Sequence, residues 1–162
     1  MNAVEIKAEP LTKESFLPFG DVLEVEGAPS MKINDGRCDR FHDICRLSFE
    51  EGNAGISLFR SEASPMPYEL TLFERHPVGS QAFIPMTSAP YLIVVAGDDN
   101  GQPAQPSAFM ARGDQGVNYL KNVWHAPLIA LQAGAVFAVV DRIGPGDNLQ
   151  EHRMGRPFYV MA

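Results

Sequence analysis

The sequence predicts an all-β fold, a barrel or sandwich of some ten short strands with one or two short helices. Three observations predict it. Fourteen glycines and thirteen prolines are spread along 162 residues, so uninterrupted segments stay short. No apolar pattern keeps a helical period over the eleven or more residues a helix signal needs. Segments rich in Val, Ile, Phe and Tyr recur instead, separated by turn dipeptides such as Asp35-Gly36 and Asn100-Gly101.

In chain order, Thr12 is a ready N-cap for a short helix over Lys13–Leu17, which Pro18 and Gly20 end. Val22 and Leu23 mark a strand at Gly20–Glu24, and Phe41, Ile44 and Leu47 mark Asp39–Leu47. Ile56, Leu58 and Phe59 carry Gly55–Ser61; Leu70, Leu72 and Phe73 carry Tyr68–Arg75; Phe83 and Ile84 carry Ser80–Pro85. Leu92, Ile93, Val94 and Val95 carry Tyr91–Ala96. Pro106–Ala111, Gly116–Tyr119, Ala126–Ala130 and Ala135–Asp141 complete the set. Asp98–Gln105 is polar and holds Gly and Pro, so an exposed, mobile loop is expected there.

A length of 162 residues suits one domain over 1–162. The net charge of -7 argues against a nucleic-acid partner, because phosphate binding needs a basic face. The longest apolar runs are about five residues, far short of a membrane span, and the N-terminus lacks a signal-peptide core. Cys38 and Cys45 match no zinc spacing and read as reduced thiols, so a cytoplasmic location is expected.

Three clusters can carry chemistry. In Glu74-Arg75-His76-Pro77-Val78-Gly79-Ser80-Gln81, strand alternation puts Glu74 and His76 on one face and Arg75 on the other. Glu-x-His-x4-Gln has the spacing of the His-x-His-x4-Glu metal motif of double-stranded β-helix (cupin) proteins, with Glu for the first His and Gln for the Glu. A solvated strand end is the competing reading. In the second cluster, Asn118-Tyr119 and Trp124-His125 bring a His beside the only Trp, suited to a barrel rim or to a half-buried structural His. In the third, Asp141-Arg142 ends an apolar strand, as an orienting carboxylate or an edge ion pair. Arg60, and Arg40 with His42, are weaker anion-binding candidates. Dinucleotide, P-loop, zincin and serine-hydrolase motifs are missing.

Together these stretches resemble the ureidoglycolate lyase family. The resemblance runs through Glu9–Phe16, Pro18–Val22, Ile33–Gly36, Arg40–His42, Ile56–Arg60, Glu74–Pro85, Gly116–Tyr119, Val123–His125, Val139–Arg142 and Gly144–Leu149. It implies a cupin-like double-stranded β-helix, a homodimer, and cleavage of (S)-ureidoglycolate to glyoxylate and urea in allantoin (purine nitrogen) catabolism. Relatives carry His at two places where this chain has Leu120 and Ala126, and the tail after His152 matches poorly.

Ureidoglycolate carries hydroxyl, carboxylate and ureido nitrogen on one carbon. Breaking the C–N bond needs a base on the hydroxyl and an acid on the leaving nitrogen. His76, His125, Glu74 and Asp141 are the candidates for this work. Gln81, Asn118, Arg60, Arg75, Tyr119 and Trp124 are the candidates for holding substrate, and Arg142 is a further carboxylate clamp. A divalent metal, nickel or manganese, on Glu74, His76, Gln81 and His125 is the alternative activator. Two other readings are a cupin-like protein that binds a small acid without turnover, and a metal-dependent cupin enzyme acting on another small carboxylate.

Overall fold

A computed structural model describes residues 4–162. Its elements are β1 (Val4–Lys7), β2 (Glu9–Pro10), α1 (Lys13–Phe16), β3 (Gly20–Leu23), β4 (Met31–Ile33), β5 (Cys38–Arg40), β6 (Asn53–Ser61), β7 (Tyr68–Arg75) and β8 (Gln81–Pro85). They continue with β9 (Tyr91–Ala96), β10 (Asp98–Asp99), β11 (Gln102–Pro103), β12 (Ser107–Ala111), β13 (Gly116–Tyr119), β14 (Trp124–His125), β15 (Ile129–Ala130), β16 (Ala135–Ile143) and β17 (Gln150–Met161).

Strands β3-β13-β8-β16-β6 form an antiparallel five-stranded sheet. The larger sheet runs β1-β17-β7-β14-β9-β12-β2, with β15 also paired to β9. Its edge strand β1 pairs parallel with β17, and its other edge strand β2 pairs parallel with β12. Only Ala8 separates β1 from β2. One short stretch of chain therefore joins both edges and nearly closes the sheet into a barrel, which removes its open edges. The fold is all-β and cupin-like, with α1 as its single short helix among the described residues.

Two apolar cores follow. Leu70, Phe73, Trp124, Ile129, Phe158 and Val160, with Val4 and Ile6 against them, line the closed sheet. The other core lies between the two sheets and holds Phe16, Phe83, Phe109, Val117, Tyr119, Phe137 and Val139. Strand β9 serves both: Tyr91, Ile93 and Val95 enter one core, and Leu92, Val94 and Ala96 the other. On the outer face of the five-stranded sheet, alternation turns out Ile56, Leu58, Arg60, Ile84, Val136, Ala138 and Val140. Ile56 is 76% and Leu58 67% exposed, an unusual density of apolar side chains in water.

Some expected elements differ. Asp39–Leu47 keeps strand geometry only to Arg40, where β5 pairs with β4; Asp43 has φ 55°, outside the β region. Ala126–Ala130 is interrupted at Pro127, leaving β14 and β15 on either side. Asp98–Gln105 is folded as a small hairpin of β10 on β11. The tail after His152 belongs to β17, paired with β7 and β1. Among the described residues no helix is long and apolar enough to cross a membrane.

Candidate active site

The turn Pro77–Ser80 carries the chain from the large sheet to the five-stranded sheet, so His76 and Gln81 face each other across the gap. Gly79 makes that turn tight: a Cβ there would lie 3.0 Å from Arg142 Cβ and 3.2 Å from Phe49 Cδ1. Strand β14 is only two residues long and sets His125 opposite Glu74 on β7. Tyr119 ends β13 and pairs with Gln81. Asp141 lies near the end of β16, within reach of Gln81.

The side chains converge. The rings of His76 and His125 have centroids 5.3 Å apart, and donor atoms of Glu74, His76 and His125 all lie within 4.8 Å of one another. Tyr119 stacks on His125 at 4.3 Å, only 2° from parallel. His76 Nδ1 donates to the Asn148 carbonyl at 2.6 Å, and its Nε2 is 3.1 Å from Gln81 Oε1. Gln81 Nε2 donates to Asp141 Oδ2 at 3.2 Å, which fixes the amide so that its oxygen faces the imidazole. Both nitrogens of His76 thus face oxygens.

His125 is the opposite case. Its Nδ1 lies 3.0 Å from the Ala126 carbonyl and so carries the proton. Its Nε2 is buried with no partner among the described residues. Burial, helped by the charge of His76, pushes its pKa down to about 3. The neutral ring forms no ion pair with Glu74, whose Oε1 is 3.8 Å from Nδ1, beyond hydrogen-bond distance. Burial raises the Glu74 carboxyl above its ordinary value, Glu151 adding to this and His76 opposing it. A neutral base, an imidazole whose nitrogens both face oxygens, and a carboxyl raised by burial are groups suited to proton-transfer chemistry.

Several expected substrate-binding residues point elsewhere. Arg75 and Trp124 alternate with Glu74 and His125 and so lie on the reverse face of their strands. Arg75 bonds Asp98 at 2.7 Å and Gln150 at 2.8 Å. The Asn118 amide donates to Asp21 at 3.1 Å and to the Arg46 carbonyl at 3.3 Å, because Tyr119, its neighbour, takes the inner face. Arg60 lies outside beside the exposed Leu58, since Phe59 packs inward on Phe83. Arg142 bonds the carbonyls of Glu51 and Pro145, and Arg40 donates to His42 at 3.0 Å.

The two replaced histidines fall away from the pair: Leu120 is 42% exposed, and Ala126 sits in the core of the closed sheet. Sequence reasoning did not single out Asn148, whose Oδ1 also accepts from Val78 N at 2.9 Å. Its place in the Gly144–Leu149 block was the only signal for it.

Residues 3–161 match the model of the ureidoglycolate lyase family. A protein of Brucella melitensis named ureidoglycolate lyase is 51% identical over 154 residues, covering 94% of this chain and 91% of the relative. One of that name from Rhodobacter capsulatus is 52% identical over 153 residues, covering 94% and 95%. One from Agrobacterium fabrum is 46% identical over 157 residues, covering 96% and 95%. With a match across nearly its whole length and half its residues shared with such proteins, the chain belongs to the ureidoglycolate lyase family.

Proposed function

We propose that this chain cleaves (S)-ureidoglycolate into glyoxylate and urea, with His125 as base and His76 as acid. The observation that carries the reading is the pair of imidazoles in opposite hydrogen-bonding states, 5.3 Å apart. His125 Nε2 takes the proton of the substrate hydroxyl. The O–H electrons form the carbonyl of glyoxylate as the C–N bond breaks toward nitrogen. His76 gives that nitrogen the proton that completes urea. No water enters. Glu74 lies beside both rings, and Gln81, freed from His76 Nε2, hydrogen-bonds the ureido group. Tyr119 holds the plane of His125 by stacking.

Glu74, His76 and His125 also fit a divalent cation such as nickel or manganese, one carboxylate and two imidazoles being donors of the right kind. Bound there, a cation would acidify the substrate hydroxyl. Gln81 is a weaker fourth donor, its oxygen being directed at His76. A second copy of the chain fits the apolar outer face of the five-stranded sheet, making a cytoplasmic homodimer.

The test is a coupled glyoxylate assay on purified protein, with and without chelator. Glyoxylate and urea released in equal amounts, faster than spontaneous decay, support the lyase. A rate no faster than decay in both conditions ends it, and loss of rate on chelation assigns the metal.

A further inference from the structure

Behind the imidazole pair, on the reverse face of the same strands, lies a second cluster that the proposed chemistry leaves unused. Asp98 is its centre. Its Oδ1 accepts from Arg75 Nη1 at 2.7 Å and from Trp124 Nε1 at 3.0 Å, and its Oδ2 accepts from Gly101 N at 3.0 Å. The Arg75 guanidinium also lies 4.2 Å over the Trp124 ring. Arg75 stands between Glu74 and His76 in the chain, and Trp124 precedes His125.

The backbone ties β14 unevenly. Two residue pairs, Trp124 with Ala96 and His125 with Val95, register it on β9, but a single pair, His125 with Glu74, registers it on β7. On that side the only further backbone bond near the site runs from Asn122 N to the His76 carbonyl at 2.8 Å. The carboxylate of Asp98 adds charged and neutral hydrogen bonds across that joint, and charge-assisted bonds are the stronger kind. We propose that Asp98 is a positioning residue: acting through Arg75 and Trp124, it fixes the separation of Glu74, His76 and His125. This rests on the reading of His76 and His125 as the reacting pair. A misplacement of about 1 Å at reacting groups costs on the order of a hundredfold in rate, so a tether of this kind has a large effect without touching substrate.

Trp124 is the only tryptophan, so its indole N–H gives one NMR signal that reports the tether, and the histidine ring signals report the site. Asp98→Ala is expected to move the indole signal and those of His76 and His125, while His42, in the exposed segment before β6, keeps its own. Its kcat should fall about tenfold or more with KM within about threefold. Asp98→Asn, which keeps a neutral acceptor, should recover part of the loss. The double variant with Arg75→Met should lose no more than the worse single variant, as members of one network do.

Imidazole signals unmoved in Asp98→Ala, a kcat within about twofold of the parent, or losses that multiply in the double variant would each overturn the proposal. Should Asp98→Ala not fold, Asp98→Asn and Arg75→Met give the same readouts. Should the parent chain release no glyoxylate, the lyase reading fails by itself, and the ring signals still decide whether Asp98 sets the geometry.

Discussion

His125 keeps a bare nitrogen in the interior at a cost of about 1–3 kcal/mol. His125→Phe preserves the stack on Tyr119 and deletes both ring nitrogens, the unpartnered Nε2 and the Nδ1 that bonds the Ala126 carbonyl. It should hold or raise Tm in a melting experiment while lowering kcat roughly a hundredfold, and His76→Ala should lower kcat by a similar factor. The low pKa of His125 also has a sign. Folded it titrates at about 3, unfolded near the ordinary 6.5, so between these values the unfolded chain holds more protons. Its contribution is present above the ordinary value and is lost as pH falls, at roughly 1.4 kcal/mol for each pH unit. Glu74, raised, acts oppositely, being lost as pH rises through its folded value. Urea midpoints of chelator-treated protein should therefore drop from pH 7 to pH 5.5. At this scale, spacing alone made Glu74, His76 and Gln81 legible. Trp124 and Asn118 were not, because their side chains turn on strand phase, which a two-residue strand or a segment beside a turn does not reveal.

Strands and helix were legible where patterns are local. Tyr68–Arg75, Tyr91–Ala96 and Gly116–Tyr119 have the boundaries expected from their apolar content. Thr12 caps α1, its Oγ1 accepting from Ser15 N at 3.1 Å. Gly20 is fixed by contact: a Cβ there would lie 1.9 Å from the Asn118 carbonyl oxygen, across the β3–β13 pairing. Gly20→Ala should cost about 3 kcal/mol, since backbone cannot move aside as a flexible side chain can. Thr12→Ala should cost about 1 kcal/mol, the usual loss of one cap. Denaturant titration of the two variants checks both figures and their order. β17 escaped notice because Gly155 and Pro157 interrupt it and its register shifts between Arg153 and Phe158.

The closure of the large sheet could not be read locally at all. β1 meets β17 from the opposite end of the chain, and no short-range pattern encodes such a pairing. The outer face of the five-stranded sheet was hidden for a related reason: in the sequence Ile56 and Leu58 mark only a strand, and the topology alone shows that nothing among the described residues covers them. If a second copy covers that face, Ile56→Asp with Leu58→Asp should shift the sedimentation coefficient from dimer to monomer. An unchanged coefficient would place the contact elsewhere.

Strand β9 has an apolar side chain buried on each of its surfaces, at 2% exposure or less along its whole length. It is a party wall with a tenant on either side. Opening either chamber strips a surface the other leans on, so loosening that begins in the barrel lumen is felt through β9 in the core beside the imidazole pair.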